Sequence, residues 1–140
     1  MAQEFKLIGG NQNPEYKQVR IGSQAYTIGD AVMLDRTSDG VDVIPATSST
    51  VTSNIYAVAM ETVTSSATTL LVCIITPNQY WAADTTNAAN TNHNEQRMVL
   101  TDKGTINNTG TDSTAGIFQQ TGVVGTSRIV GRFLAGYSAA

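Results

Sequence analysis

Short apolar runs separated by polar turn residues cover most of the chain. Residues 31–35 and 69–76 are apolar through their middles, and residues 54–63 alternate larger with smaller side chains. Runs of this length, rich in branched residues or alternating with period two, are typical of β-strands. A helical period is not sustained in any stretch, so the pattern predicts an all-β protein.

The turn chemistry sets the limits of the strands. Asp39-Gly40 suits a hairpin turn that needs positive φ, and Pro45 indicates an edge or the end of a strand. The run at 69–76 is expected to be the most buried strand, and residues 84–95 a surface loop with at most a short turn of helix. The expected strands are 26–28, 31–35, 41–46, 54–63, 69–76, 80–83, 97–101, 116–120, 122–125 and 127–134.

Many short strands in a chain of 140 residues predict a small single-domain β-barrel or compact sandwich, here assigned to residues 26–140. Residues 1–25 differ, because Gly9-Gly10 and Pro14 interrupt only isolated apolar positions. This segment is interpreted as an extended N-terminal arm that docks on a partner, for example by adding to a sheet edge. Its candidate contact residues are Phe5, Leu7, Ile8, Tyr16 and Val19.

Composition adds a second indication of a partner. Only 14% of the residues are charged, against roughly 25% in an ordinary soluble domain. Isolated domains usually rely on mixed surface charge to stay apart, so a surface this neutral favours a component of an assembly. A net charge of −3 argues against direct binding of nucleic acid. We expect no membrane association either, since no apolar run approaches the roughly 18 residues that span a bilayer.

Candidate catalytic and metal-binding residues are sparse. His93 is the single histidine and lies in an Asn-rich loop, where we expect it to be solvated. Cys73 lies within an apolar run and is expected to be a buried thiol. Neither a metal-ligand spacing nor a G-x-S-x-G motif occurs. The sequence therefore predicts a protein that is not an enzyme and has neither metal nor cofactor.

The densest group of carboxylates flanks one predicted hairpin. It comprises Asp30, Asp35, Asp39 and Asp42. An EF-hand loop would need ligands at alternate positions and a closing glutamate, which this spacing does not provide. Turns and edge protection explain these aspartates better, although a hydrolase that uses them remains an alternative.

Aromatic residues raise a different alternative. Tyr80 and Trp81, together with Tyr56, suggest a sugar-binding platform, as in a carbohydrate-binding or host-adhesion module of a phage fibre or tail. Neighbouring residues on a strand point to opposite faces, however, so Tyr80 and Trp81 would not share one platform. We expect Trp81 to cover an end of the core instead.

The order of these runs resembles the small capsid decoration, or cement, proteins of tailed bacteriophages. The resemblance covers residues 26–134 and rests on short motifs. They are Ile28-Gly29-Asp30-Ala31-Val32-Met33-Leu34-Asp35, Val41 to Pro45-Ala46, Ile55-Tyr56-Ala57-Val58-Ala59, Leu70 to Ile75, Thr121-Gly122-Val123-Val124 and Gly131-Arg132-Phe133-Leu134. The chain departs from the family pattern at Ala57, because the family often has glycine before Val-Ala, and in the long polar insert at 84–95.

The resemblance implies a structural virion protein without catalysis. Such proteins are made in the host cytoplasm, bind the outer surface of an icosahedral capsid and stabilise the expanded shell. It implies the major capsid protein as partner and a homo-oligomer, with a trimer favoured over a dimer. The N-terminal arm would then reach onto the shell, with residues 5–8 and 16–19 as its anchors.

Overall fold

The computed structural model describes residues 4–10, 13–37 and 39–134. These residues form twelve strands and one turn of 3-10 helix at Thr91–His93, the short turn that the loop at 84–95 was expected to allow. No helix among them is long and apolar enough to cross a membrane. The strands are β1 (Phe5–Gly9), β2 (Tyr16–Arg20), β3 (Ala31–Leu34), β4 (Val43–Pro45), β5 (Ile55–Ala59), β6 (Thr69–Ile74), β7 (Tyr80–Thr85), β8 (Arg97–Met98), β9 (Leu100–Asp102), β10 (Thr105–Ile106), β11 (Phe118–Gly125) and β12 (Arg128–Phe133).

Strands β2 to β6 form a five-stranded sheet that curls into a nearly closed barrel. Its order is β2-β6-β5-β3-β4, with antiparallel pairing throughout. The two outer strands approach each other where Ile21 forms a parallel bridge with Val43. The amide of Asp42 also donates to the carbonyl oxygen of Arg20 at 2.9 Å. The predicted all-β single domain with barrel character is therefore confirmed.

Alternate residues of these strands fill the barrel. Ala57 and Ala59 project inwards from β5, and their small size suits the narrow interior of a five-stranded barrel. All of the interior residues are at most 6% exposed. They are Val19, Ile21, Tyr26, Val32, Val43, Ala57, Ala59, Leu70 and Val72.

The seven-stranded second sheet lies over one outer face of the barrel. Its order is β8-β11-β12-β7-β10-β9, and β1 also pairs with β7. Strand β7 is antiparallel to β1 and β12 but parallel to β10. The larger core lies between the two sheets, because it combines Val58 and Cys73 of the barrel with residues of the second sheet. Four aromatic rings within it pack against one another: Phe5, Trp81, Phe118 and Phe133.

Strand β5 is buried on both sides, which corrects the expectation of a half-buried strand. Ala57 and Ala59 face the barrel interior, while Val58 faces the second sheet. Four of its five residues are buried, against three of six in β6, so β5 and not β6 is the more buried strand. A strand enclosed by two cores has no polar face, so the size alternation along 54–63 does not separate buried from exposed residues.

Several other boundaries differ from the prediction. Residues 26–28 do not form a strand: Tyr26 makes only an isolated bridge with Val63, and the chain then turns through Gly29 at φ +96°. The strands expected at 116–120 and 122–125 are one irregular strand, β11. Strand β10 was not predicted, because two residues are too few to show a period. The turn at Gly40, with φ +78°, and the end of β4 at Pro45 are confirmed.

Candidate functional site

The residues assigned to a capsid-binding arm occupy three different environments. Phe5 is fully buried in the core between the sheets, and Leu7 packs against that core. Val19 is 1% exposed in the barrel interior. Ile8 and Tyr16 are 49% and 54% exposed. Phe5 and Val19 therefore stabilise the fold, and Ile8 and Tyr16 are the members of the set that present substantial apolar surface.

The segment assigned to the arm runs through both sheets. Its β1 pairs with β7, and its β2 pairs with β6 over five residues. Ile8 and Tyr16 thus lie on strands of different sheets. Residues 1–3, 11 and 12 of the arm, and residues 135–140 of the predicted barrel domain, lie outside the described residues. Capsid binding by this segment stays a prediction.

Pairing between β1 and β7 brings a second exposed apolar residue close to Ile8. Tyr80 pairs with Gly9 and is 42% exposed. Ile8 is the extra residue where the register shifts between Leu7 and Gly9. Such a bulge redirects side chains locally. We call Ile8 and Tyr80 the first-strand patch.

Gly10 shapes one side of this patch. Its φ is +86°, and a Cβ atom at this position would lie 2.9 Å from Cδ2 of Tyr80 and overlap the carbonyl oxygen of Asn78. The Tyr80 ring thus lies against bare backbone, which limits its freedom. An aromatic side chain that is already ordered loses less conformational entropy when it binds a partner.

The four aspartates around the predicted hairpin do not form one site. Asp30 is 1% exposed, and its Oδ2 lies 3.3 Å from Nζ of Lys103. Asp35 accepts hydrogen bonds from the amide and hydroxyl of Thr37 at 2.9 Å. Asp42 pairs with Arg20 at 2.7 Å, and Asp39 is exposed. Each aspartate has its own structural surroundings, which do not resemble the shared water site of a hydrolytic pair.

The aromatic residues considered for a sugar platform are also separated. Trp81 is fully buried in the larger core, and its Nε1 donates to Oε1 of Gln79 at 3.2 Å. It is a core residue, as expected, and offers no surface to a sugar. Tyr80 points the other way and is exposed, as the alternation along a strand requires.

His93 and Cys73 complete the candidate chemistry. His93 is the last residue of the 3-10 turn and is half-buried. Its Nδ1 atom is buried and has no hydrogen-bond partner among the described residues. The side chain is therefore less solvated than the sequence predicted. Cys73 is buried as predicted, and burial raises the pKa of its thiol. Within the described ranges, no three His, Cys, Asp or Glu side chains are grouped so that they could hold a metal ion.

One charged cluster was missed by the sequence reasoning. Glu4, Asp30, Asp84 and Asp102 interact although they are far apart along the chain. No local spacing signals such a group, since it forms only when the starts of β1 and β3, strand β7 and the end of β9 come together.

No protein-family model matches this chain, and no curated protein sequence matches it either.

Proposed function

We propose that this protein is a structural virion protein that binds the outer surface of an icosahedral phage capsid and stabilises the expanded shell. The observation that carries the proposal is the first-strand patch, in which Ile8 and Tyr80 are 49% and 42% exposed. The low charge content of 14% supports it further. Exposed apolar side chains that are brought together on a surface often indicate a protein contact.

Binding to the assembled shell explains the stabilisation. A protein that binds only the expanded shell stabilises it in proportion to occupancy and affinity. Contacts of modest strength gain avidity when several are made at once. The proposed partner is the major capsid protein, and the first-strand patch with Tyr16 is the proposed contact surface. The protein would be made in the host cytoplasm and reside on the virion exterior.

A homo-oligomer would increase this avidity, and a trimer is proposed ahead of a dimer. The proposal rests on the resemblance to cement proteins, which commonly occupy the junctions between capsid subunits. Light scattering of the purified protein, alone and with shells, measures the oligomeric state directly.

The test is co-sedimentation with expanded, DNA-free phage shells. The unchanged protein should bind saturably at a fixed ratio to capsid subunits and raise the shell melting temperature. Ile8→Ser with Tyr80→Ser should weaken binding by about tenfold or more, because burying large apolar side chains contributes about 1.5–3 kcal/mol each. Val124→Ser is the matched control, since Val124 is 59% exposed at the end of β11, on a different strand.

Two outcomes would contradict the proposal. If no shell binds the protein at all, the cement function is wrong, and glycan binding becomes the next assay for an adhesion module. If shells bind the double variant as tightly as the unchanged protein, the first-strand patch is not the contact surface.

A further inference from the structure

Charged side chains from separate parts of the chain meet where the chain enters β1. Glu4 directly precedes this strand, Asp30 directly precedes β3, and Asp84 belongs to β7. Asp102 and Lys103 lie at the end of β9 and in the turn that follows, and Arg128 begins β12. The carboxylates of Asp30, Asp84 and Asp102 all act electrostatically on Glu4. The cluster therefore connects the first strand with both sheets.

The two cations of the cluster already have carboxylate partners. Nζ of Lys103 lies 3.3 Å from Oδ2 of Asp30. Nη1 of Arg128 lies 2.6 Å from Oδ1 of Asp84 and also donates to the backbone carbonyl oxygen of Glu4 at 3.4 Å. Asp102 accepts from the amide of Gly104 at 2.8 Å. An ionised Glu4 would thus add a fourth negative charge beside two positive ones.

The Glu4 carboxyl is placed to carry a proton. Its Oε2 atom is buried and has no hydrogen-bond partner among the described residues. The carboxyl packs against the Cα of Gly104, where a Cβ atom would overlap it. The pKa of Glu4 is raised from 4.5 to about 7. The largest cause is a side-chain hydrogen bond with Asp30, followed by burial and by the charges of the neighbouring carboxylates. A proton shared between two carboxyl groups relieves their repulsion.

We propose that Glu4 is a proton-operated latch for the first strand: the protonated side chain bonds to Asp30 and holds β1 against the barrel, and loss of the proton loosens that end of β1. Next to Glu4, the amide of Phe5 donates to the carbonyl oxygen of Gly29 at 3.1 Å. Tyr26 is a further titratable group beside Asp30, and Nζ of Lys103 lies 5.7 Å from the centre of its ring. The latch is a property of the free protein and does not depend on the proposed capsid binding.

Proton linkage determines whether β1 is held more tightly at low pH or at high pH. A carboxyl that binds its proton more tightly in the closed state favours closure at low pH. This contribution is complete below the ordinary value of 4.5 and is lost as the pH rises through about 7. Opening of β1 should therefore increase across the neutral range, while the core strands of the barrel respond less.

Hydrogen exchange by mass spectrometry tests the latch. Protection of β1 amides, corrected for intrinsic exchange, should fall about tenfold between roughly pH 5 and pH 9, after allowing for solvent screening of a partly exposed group. Glu4→Gln should remove this pH dependence. Glu15→Gln is the matched control, because Glu15 is exposed and lies just outside β2.

Gly104→Ala provides an independent test that leaves every charge in place. The new methyl group displaces the Glu4 carboxyl, so the pH dependence of β1 protection should shrink even though Glu4 is still present. An unchanged pH dependence in Glu4→Gln would overturn the proposal. An equal loss of protection in β1 and β6 would also overturn it, since the whole fold and not the first strand would then be opening.

Discussion

Gly131 shows how closely a single residue can be constrained in this fold. It lies in β12, opposite Gln120 of β11 and Trp81 of β7. A Cβ atom here would lie 2.5 Å from Cε2 of Phe118 and would overlap the backbone carbonyl of Gln119. The Phe118 ring also packs edge-on against Phe133 at 5.1 Å, so it has little room to move. The absence of a side chain at Gly131 is a packing requirement.

Gly131→Ala is therefore expected to destabilise the protein. Overpacking of a filled core costs about 1–3 kcal/mol, which would appear as a lower midpoint of urea denaturation. Gly122→Ala is the matched control, because Gly122 lies in β11 and a Cβ atom added there would meet no other atom within 4 Å. Equal stability of the two variants would show that the core can accommodate the methyl group.

At the scale of elements, closure of the barrel depends on the contact between β2 and β4. Asp42 accepts from the Arg20 amide at 2.8 Å and pairs with Nη2 of Arg20 at 2.7 Å. These bonds supplement the single bridge between Ile21 and Val43. Hydrogen bonds from the Arg20 side chain and, to a lesser extent, from its backbone amide lower the pKa of Asp42 to about 2.

Asp42→Asn is expected to lower stability modestly at neutral pH. Because the folded state lowers the pKa of Asp42, its contribution is present above the ordinary value of 3.8 and is lost as the pH falls towards about 2. The difference in denaturation midpoint between the unchanged protein and this variant should therefore shrink over that interval. Asp39→Asn, at an exposed position of the same hairpin, serves as the control. A difference that persists unchanged at pH 2 would exclude the ionic contribution.

At the scale of the whole molecule, residues 4–10 and 13–20 belong to the folded structure. They supply one strand to each sheet, with Phe5 in the core between the sheets and Val19 inside the barrel. The sequence predicts that residues 26–140 fold without the arm, so that deletion of residues 1–20 would test the function of the arm alone. The structure leads to the opposite expectation.

Removal of residues 1–20 should prevent cooperative folding. Truncating one buried Phe typically costs about 3–5 kcal/mol, and a whole domain is stable by only about 5–15 kcal/mol. Near-ultraviolet circular dichroism and a thermal melt would show the loss of fixed aromatic packing. A truncated chain that retains a sharp melt would mean that β1 and β2 are dispensable. Point substitutions at Ile8 and Tyr80 are consequently the better test of shell binding.

The candidate site was only partly predictable from the sequence. Ile8 and Tyr16 were identified as candidate contacts and are exposed. Phe5 and Val19 belong to the same set of candidates but are buried. The sequence could not separate them from Ile8 and Tyr16, because an apolar residue in a short isolated strand pattern suits a core as well as a docking surface. Tyr80 was noticed as an aromatic residue, but its position beside Ile8 depends on the pairing of β1 with β7.

The sequence by itself determined the all-β class, the approximate positions of β3, β4, β5, β6 and β12, and the turn at Gly40. Those features depend on local alternation, branched residues and turn chemistry, which act over a few neighbouring positions. Only the tertiary structure decided that the sheet of β2 to β6 closes into a barrel, that β5 is buried on both sides, and that Glu4 meets Asp30. These features depend on contacts between distant segments, whose choice of partner is set by the packing of the whole chain.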